Sequence, residues 1–173
     1  MSGVSYRSAR EEDAALLARF GADAFAATFG HLYPAADLAA FLAQTFAQPV
    51  QAGEIREPAT DHRLAFQGQH LVGYAKLGAE KLGFADPARP ALELHRLYVD
   101  QALHGAGVAP ALMDWVLARA RERGALDLFL SVYTENHRAR GFYARYGFEE
   151  IAPYVFMVGT VADPDIVCRL RLD

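Results

Sequence analysis

The stretch from residue 92 to residue 132 limits what this chain can fold into more than any other. A strand-like run at 92–99 passes through Gly105-Ala106-Gly107 into a helical stretch over about 109–123, and a second apolar run follows at 126–132. Strand, crossover helix and strand make a βαβ unit, which sets two strands parallel. Pro110 suits the first turn of that helix and Gly124 its C-terminal cap. On either side the pattern predicts antiparallel hairpins: 63–66 with 71–77 around Gly68-Gln69, and 148–158 with 165–172. Residues 4–8 read as a first strand. Ala14, Leu16, Leu17, Phe20, Ala24, Phe25 and Phe29 then recur at helical spacing. A second helix starts near Pro34 and carries Leu38, Phe41, Leu42 and Phe46 on one face until Pro49 breaks it. Residues 83–90 make a surface loop, and 136–146 a helix stopped by Gly147. The order β-α-α-β-β-β-α-β-α-β-β is of the α/β (α+β) class: a mixed, mostly antiparallel sheet of about seven strands, with a parallel βαβ core and helices on both faces.

Composition narrows the class further. With 173 residues, 53% hydrophobic and 22% charged, the chain can bury one core, and no repeat or linker divides it, so 1–173 is expected to be a single domain. A net charge of -4 is the wrong sign for nucleic acid or anionic lipid as a partner. The lone Cys168 excludes an internal disulfide framework and fits a reducing compartment. No basic leader precedes an apolar core, and no apolar run reaches the roughly 20 residues of a membrane span, so a cytoplasmic protein without membrane contact is expected. His31, His62, His70, His95, His104 and His137 form no paired ligand motif, and no metal is expected.

The glycine loop is the first chemical signal. Glycines at a strand-to-helix junction expose consecutive N–H groups where the helix dipole is positive, which suits a phosphate or pyrophosphate. A Walker loop needs Gly-Lys-Ser/Thr, but Val108 and Ala109 follow Gly107; a dinucleotide fingerprint needs a small residue where Pro110 stands. Taken alone, the loop reads equally well as a plain helix-entry turn.

Downstream comes TENHRARGFYARYGFEE. With it the chain resembles the GNAT superfamily of N-acetyltransferases. The matching residues are Leu97 and Val99, then the run from His104 through Ala109, then Asn136, Ala139, Phe142-Tyr143 and Gly147-Phe148. His104 departs from the family's Gln or Arg. Within the superfamily the likeness is to PaiA-like polyamine acetyltransferases, carried by Phe25-Ala26-Ala27-Thr28-Phe29, LELHRLYV and the spacing from YVFMVG to Asp165.

The resemblance implies an N-acetyltransferase that moves the acetyl group of acetyl-CoA, as co-substrate, to a primary amine, with a polyamine among the candidates. It assigns the pyrophosphate to His104, Gly105, Ala106, Gly107, Val108 and Ala109. It assigns the pantetheine arm to Leu97, Tyr98, Val99, Asn136, Ala139, Phe142 and Tyr143. An alkyl ammonium of pKa about 10.4 must lose a proton before it attacks, and Glu93 is the expected base. The departing thiolate needs a proton, and Tyr143 matches the family's acid position. Asn136 also reads as a helix cap, and Phe142 and Tyr146 as core. Strand alternation puts Glu93, His95, Leu97 and Val99 on one face and Leu94, Arg96 and Tyr98 on the other. An oxyanion donor is expected from backbone N–H near Val99, freed by a bulge. Phe25, Phe29, Tyr33 and Tyr154 are the expected acceptor walls. Alternatives from other classes stay open: a non-catalytic acyl-CoA sensor, a nucleotide-binding regulatory domain, an acetyltransferase for peptide or protein amines and, for assembly, a homodimer.

Overall fold

A computed structural model describes residues 3–173. The apolar stripes seen in the sequence explain how its layers stack. In α4 (Val108–Glu122), Val108, Leu112, Met113, Val116 and Ala120 are buried, all on a single face. In α1 (Ala14–Phe29) the buried positions are Ala14, Leu17, Gly21 and Phe25. Between these helices lies a seven-stranded sheet made of β1 (Val4–Ser8), β2 (Asp61–Gln67), β3 (His70–Ala79), β4 (Ala91–Val99), β5 (Asp127–Tyr133), β6 (Glu149–Val158) and β7 (Val161–Arg171). Its spatial order is β1-β2-β3-β4-β5-β7-β6, and every pairing is antiparallel except β4 with β5. The expected mixed sheet with a parallel βαβ core is what forms.

On one face α4 and α5 (His137–Arg145) pack over Leu77, Leu92, Leu94, Leu128 and Leu130. On the other lie α1, α2 (Ala35–Thr45) and α3 (Gln48–Arg56), with Leu17, Leu64 and Tyr74 in one cluster and Phe25, Tyr33, Phe46 and Val158 in another. The β6–β7 turn, with Gly159 at φ 57°, reaches α2, where Asp37 accepts from the Thr160 N–H at 3.3 Å and its hydroxyl at 2.7 Å. Among the described residues, no helix is long and apolar enough to cross a membrane.

Three local expectations are corrected. Pro49 does not merely end α2; it sits in the first turn of α3, a helix whose buried residue is Gln51 and which therefore gave no apolar stripe. Gln51 of α3 is fully buried and donates to the Thr45 carbonyl at 2.9 Å. Strand β7 begins at Val161 rather than 165, with Pro164 inside it, where a residue lacking an N–H argues against a strand. The simple alternation of β4 fails as well. Lys76 pairs with Arg96 but Leu77 with Leu94, so His95 is an extra residue, a bulge. The bulge shifts parity: Leu92, Leu94, Leu97 and Val99 all pack on the α4 side, whereas Tyr98 packs on the α1 side.

The α1 contact depends on the absence of a side chain at Gly21. A Cβ there would lie 2.6 Å from a Phe46 ring carbon and 2.9 Å from the Tyr74 hydroxyl. Alanine favours helix by about 0.8–1 kcal/mol. Even so, Gly21→Ala is expected to lower stability by about 1–3 kcal/mol through overpacking, read as a fall in the urea midpoint; an unchanged or higher midpoint would refute the contact.

Candidate active site

Parallel pairing of β4 with β5 lasts three residues, Ala91 with Asp127, Leu92 with Leu128 and Glu93 with Phe129. Beyond them the strands part, β4 staying on β3 and β5 on β7. A cavity of about 1400 Å³ occupies the gap, walled by Leu97, Tyr98 and Val99 from β4 and by Ser131, Val132 and Tyr133 from β5.

At one end lies the glycine loop. Gly105 and Gly107 have φ of 83° and 84°, a left-handed conformation that side chains disfavour. A Cβ at either would meet nothing, so the loop presents bare backbone. Among the described residues the N–H groups of Gly105, Gly107, Val108 and Ala109 have no backbone acceptor. Free donors at a helix N-terminus, with no side chain across them, fit a pyrophosphate. Val108 turns its side chain into the core, 1% exposed, so only its main chain is available. Ala106 is exposed and outside the cavity wall. The His104 ring lies 3.2 Å from the Val99 carbonyl and touches the Arg138 guanidinium, which sets a fixed positive charge beside the loop. Arg138 and Arg145 both line the cavity, and no motif in the sequence had pointed to either.

Helix α5 faces the loop across the gap. Its cap is Asn136, whose Oδ1 accepts from the Ala139 N–H at 3.2 Å, as the capping alternative expected. Ala139, Phe142 and Tyr143 line the cavity and also touch the core. The Tyr143 ring stands edge-on to Phe142 at 5.5 Å and to Phe148 at 5.7 Å. Burial, with smaller effects from Tyr98 and Cys168, raises its pKa above that of a free phenol, so it keeps its proton at neutral pH.

Glu93 stands at the closed end of the gap, the last residue paired to β5, and is 7% exposed. Its Oε2 accepts from the Lys81 N–H at 2.8 Å, and its Oε1 lies 3.1 Å from His95 Nδ1. The bulge expected near Val99 lies instead at His95, four residues nearer this carboxylate. Behind it, Glu54 of α3 meets Lys76 Nζ at 2.7 Å and Arg96 at 2.8 Å. Desolvation brings Lys76 down to about 8 and, helped by Lys76, His62 down to about 4.

At the other end are the aromatic residues. Phe25 is core, 4% exposed, stacked on Tyr33 at 6.0 Å and close to Phe41 at 4.7 Å, but its ring still forms part of the wall. Phe29, Tyr33 and Tyr154 join it. The floor escaped the sequence reading; it is formed by Asp163 and Asp165 of β7 together with Tyr133. The signal was two carboxylates spaced for one strand face, hidden because the strand was read as starting at 165. Among the described residues, no group of three or more His, Cys, Asp or Glu is gathered as a metal site needs.

A family model described as the acetyltransferase (GNAT) family matches residues 22–148. The chain belongs to the GNAT family. An uncharacterized N-acetyltransferase of Mycobacterium tuberculosis H37Rv is 35% identical over 84% of this GNAT chain and 94% of its own length. Among solved structures, the PaiA N-acetyltransferase from Thermoplasma acidophilum, in complex with coenzyme A, superposes with a TM-score of 0.79. It covers 98% of this chain and 99% of its own at 17% identity, so the likeness is one of fold. The structure of yncA from Salmonella typhimurium with acetyl-CoA gives 0.68 at 20% identity, covering 99% and 95%. This chain is an N-acetyltransferase.

The bare loop leads to a direct measurement. Gly107→Val, which places a β-branched residue at φ 84°, is expected to weaken acetyl-CoA binding about tenfold or more by distorting the donors. Calorimetry reads the Kd, and unchanged affinity would remove the loop from the site.

Proposed function

We propose that this enzyme transfers the acetyl group of acetyl-CoA to a primary amine of a small molecule by direct attack on the thioester. The observation that carries this reading is the gap between β4 and β5: it joins a cradle of free N–H groups to an aromatic acceptor compartment, and Tyr143 lines it. The diphosphate lies on the main chain at 105–109. The pantetheine amides pair with the β4 edge at Leu97, Tyr98 and Val99, which β5 leaves unpaired.

The amine nitrogen, once neutral, attacks the carbonyl carbon, forming the C–N bond and placing negative charge on oxygen. A main-chain N–H on the β4 edge beyond Glu93, where β5 no longer pairs, supports that oxygen. The C–S bond then breaks, and the thiolate takes the proton of the Tyr143 hydroxyl. Glu93, directly or through water, takes the proton that leaves the ammonium before attack; the second proton, lost from nitrogen as the amide forms, restores the Tyr143 hydroxyl through solvent. A polyamine belongs to the acceptor class by resemblance to the PaiA-like members.

Tyr143→Phe is expected to lower kcat by about 100-fold or more, with the acetyl-CoA Kd unchanged. Full turnover with chemistry rate-limiting would overturn the acid assignment. Glu93→Gln is expected to lower kcat in the same way. The reading as a whole is tested by thiol release from acetyl-CoA against a panel of primary amines. Binding of acetyl-CoA without release on any amine would favour the sensor reading instead.

A further inference from the structure

Buried carboxylates in this molecule come with a basic partner. Asp13 meets Arg7 at 2.7 Å, Asp127 meets Arg89 at 2.9 Å, and Glu93 faces His95 at 3.1 Å. Asp163 and Asp165 break the pattern. They are 6% and 8% exposed, and among the described residues no Lys, Arg or His forms an ion pair with either. Asp163 accepts from the Tyr33 hydroxyl, and Asp165 has the hydroxyl of Ser131. Burial, reinforced by the nearby Asp163, pushes Asp165 up to about 6. Removing carboxylates from water with no cation beside them is costly, and a fold keeps such groups where something else needs them.

Their surroundings say what that is. Both carboxylates line the cavity at its aromatic end. Asp165 lies between Tyr133 on β5 and Tyr154 on β6, and Asp163 lies opposite Phe156. Phe29 stands edge-on to Tyr133 at 6.3 Å. Two carboxylates with aromatic neighbours suit an organic ammonium, which gains from both the charge and the rings. A metal ion needs more oxygen or nitrogen ligands than stand here.

We propose that Asp163 and Asp165 form the anchor for a second, non-reacting cationic group of the acceptor, so that the enzyme selects a doubly charged amine over a singly charged one. This rests on the amine-acceptor reading above. Ser131 ties the anchor to the strand that borders the gap, so the bound charge sits beside the reaction rather than at a remote surface.

The probes are 1,4-diaminobutane and butylamine, which share a chain length and differ by one ammonium. In the native enzyme kcat/KM, followed by thiol release, is expected to favour the diamine by about tenfold or more. In Asp165→Asn, and in Asp163→Asn, that ratio is expected to fall close to one, while Asp165→Glu restores part of it. For a variant too slow to assay, the ratio of the two amines' Kd values on the CoA complex replaces it. Because Asn removes an uncompensated charge, the Tm of free Asp165→Asn is expected to stay level or rise, which a purely structural carboxylate would not allow. A ratio near one in the native enzyme, or one that survives both Asn variants, overturns the anchor alone. No thiol release with any amine overturns the acceptor reading and the anchor with it.

Discussion

The early parting of β4 and β5 is the constraint on which the rest of the structure depends. Adjacent parallel strands normally satisfy each other along their length, and here they do so for three residues. The opening beyond them is held rather than slack. β5 keeps seven partners on β7, and β4 stays paired with β3 up to Val99. Two main-chain edges therefore face each other across a space with donors and acceptors unused by the sheet. A chain of amides can enter such a space as an added strand does, and the loop at its mouth meets the charged end of the same molecule.

The bulge at His95 determines which side chains reach that space. One extra residue in β4 puts Arg96 and Tyr98 toward α1 and α3, while Leu97 and Val99 remain under α4. Arg96 is then fixed from two sides, by the Glu54 carboxylate and by the Phe46 ring, 4.9 Å from the guanidinium carbon. Glu54 also holds Lys76 on the neighbouring strand, so a single carboxylate of α3 braces both strands around the irregularity. Removing Glu54 would leave Lys76 and Arg96 buried without a counter-charge, so this one carboxylate holds the bulge more firmly than its Coulomb energy alone suggests.

Much of this was legible in the chain, for identifiable reasons. Pro110 and Gly124 bracket the third long helix, and the order of strands and helices around 92–132 forces the parallel pair. Asn136 and Tyr143 stood out through the family resemblance, whose motif lies within one helix, and the glycines through their place at a strand-to-helix junction. The features that stayed hidden depend on partners distant in sequence. Helix α3 packs through Gln51 and Glu54 and so carries no apolar stripe. Pro164 disguised the start of β7. The parity of β4 turns on its register with β3, which no pattern within β4 records. Asp163 and Asp165 gain meaning only when Tyr33, 130 positions away from the first of them, and Tyr133 are brought alongside.

The two ends of the cavity are closed by unequal means. Shifting α4 would bring Leu112, Met113 and Val116, all wholly enclosed, into water. Helix α2 has no fully buried residue, and Asp37 ties it to the tip of the last hairpin through two exposed hydrogen bonds. Bonds of that kind contribute about 0.5–1.5 kcal/mol each, within reach of ordinary thermal fluctuation. The aromatic end of the cavity is thus bordered by a helix held through half-buried side chains and a polar tie, and the glycine-loop end by one sealed into the core.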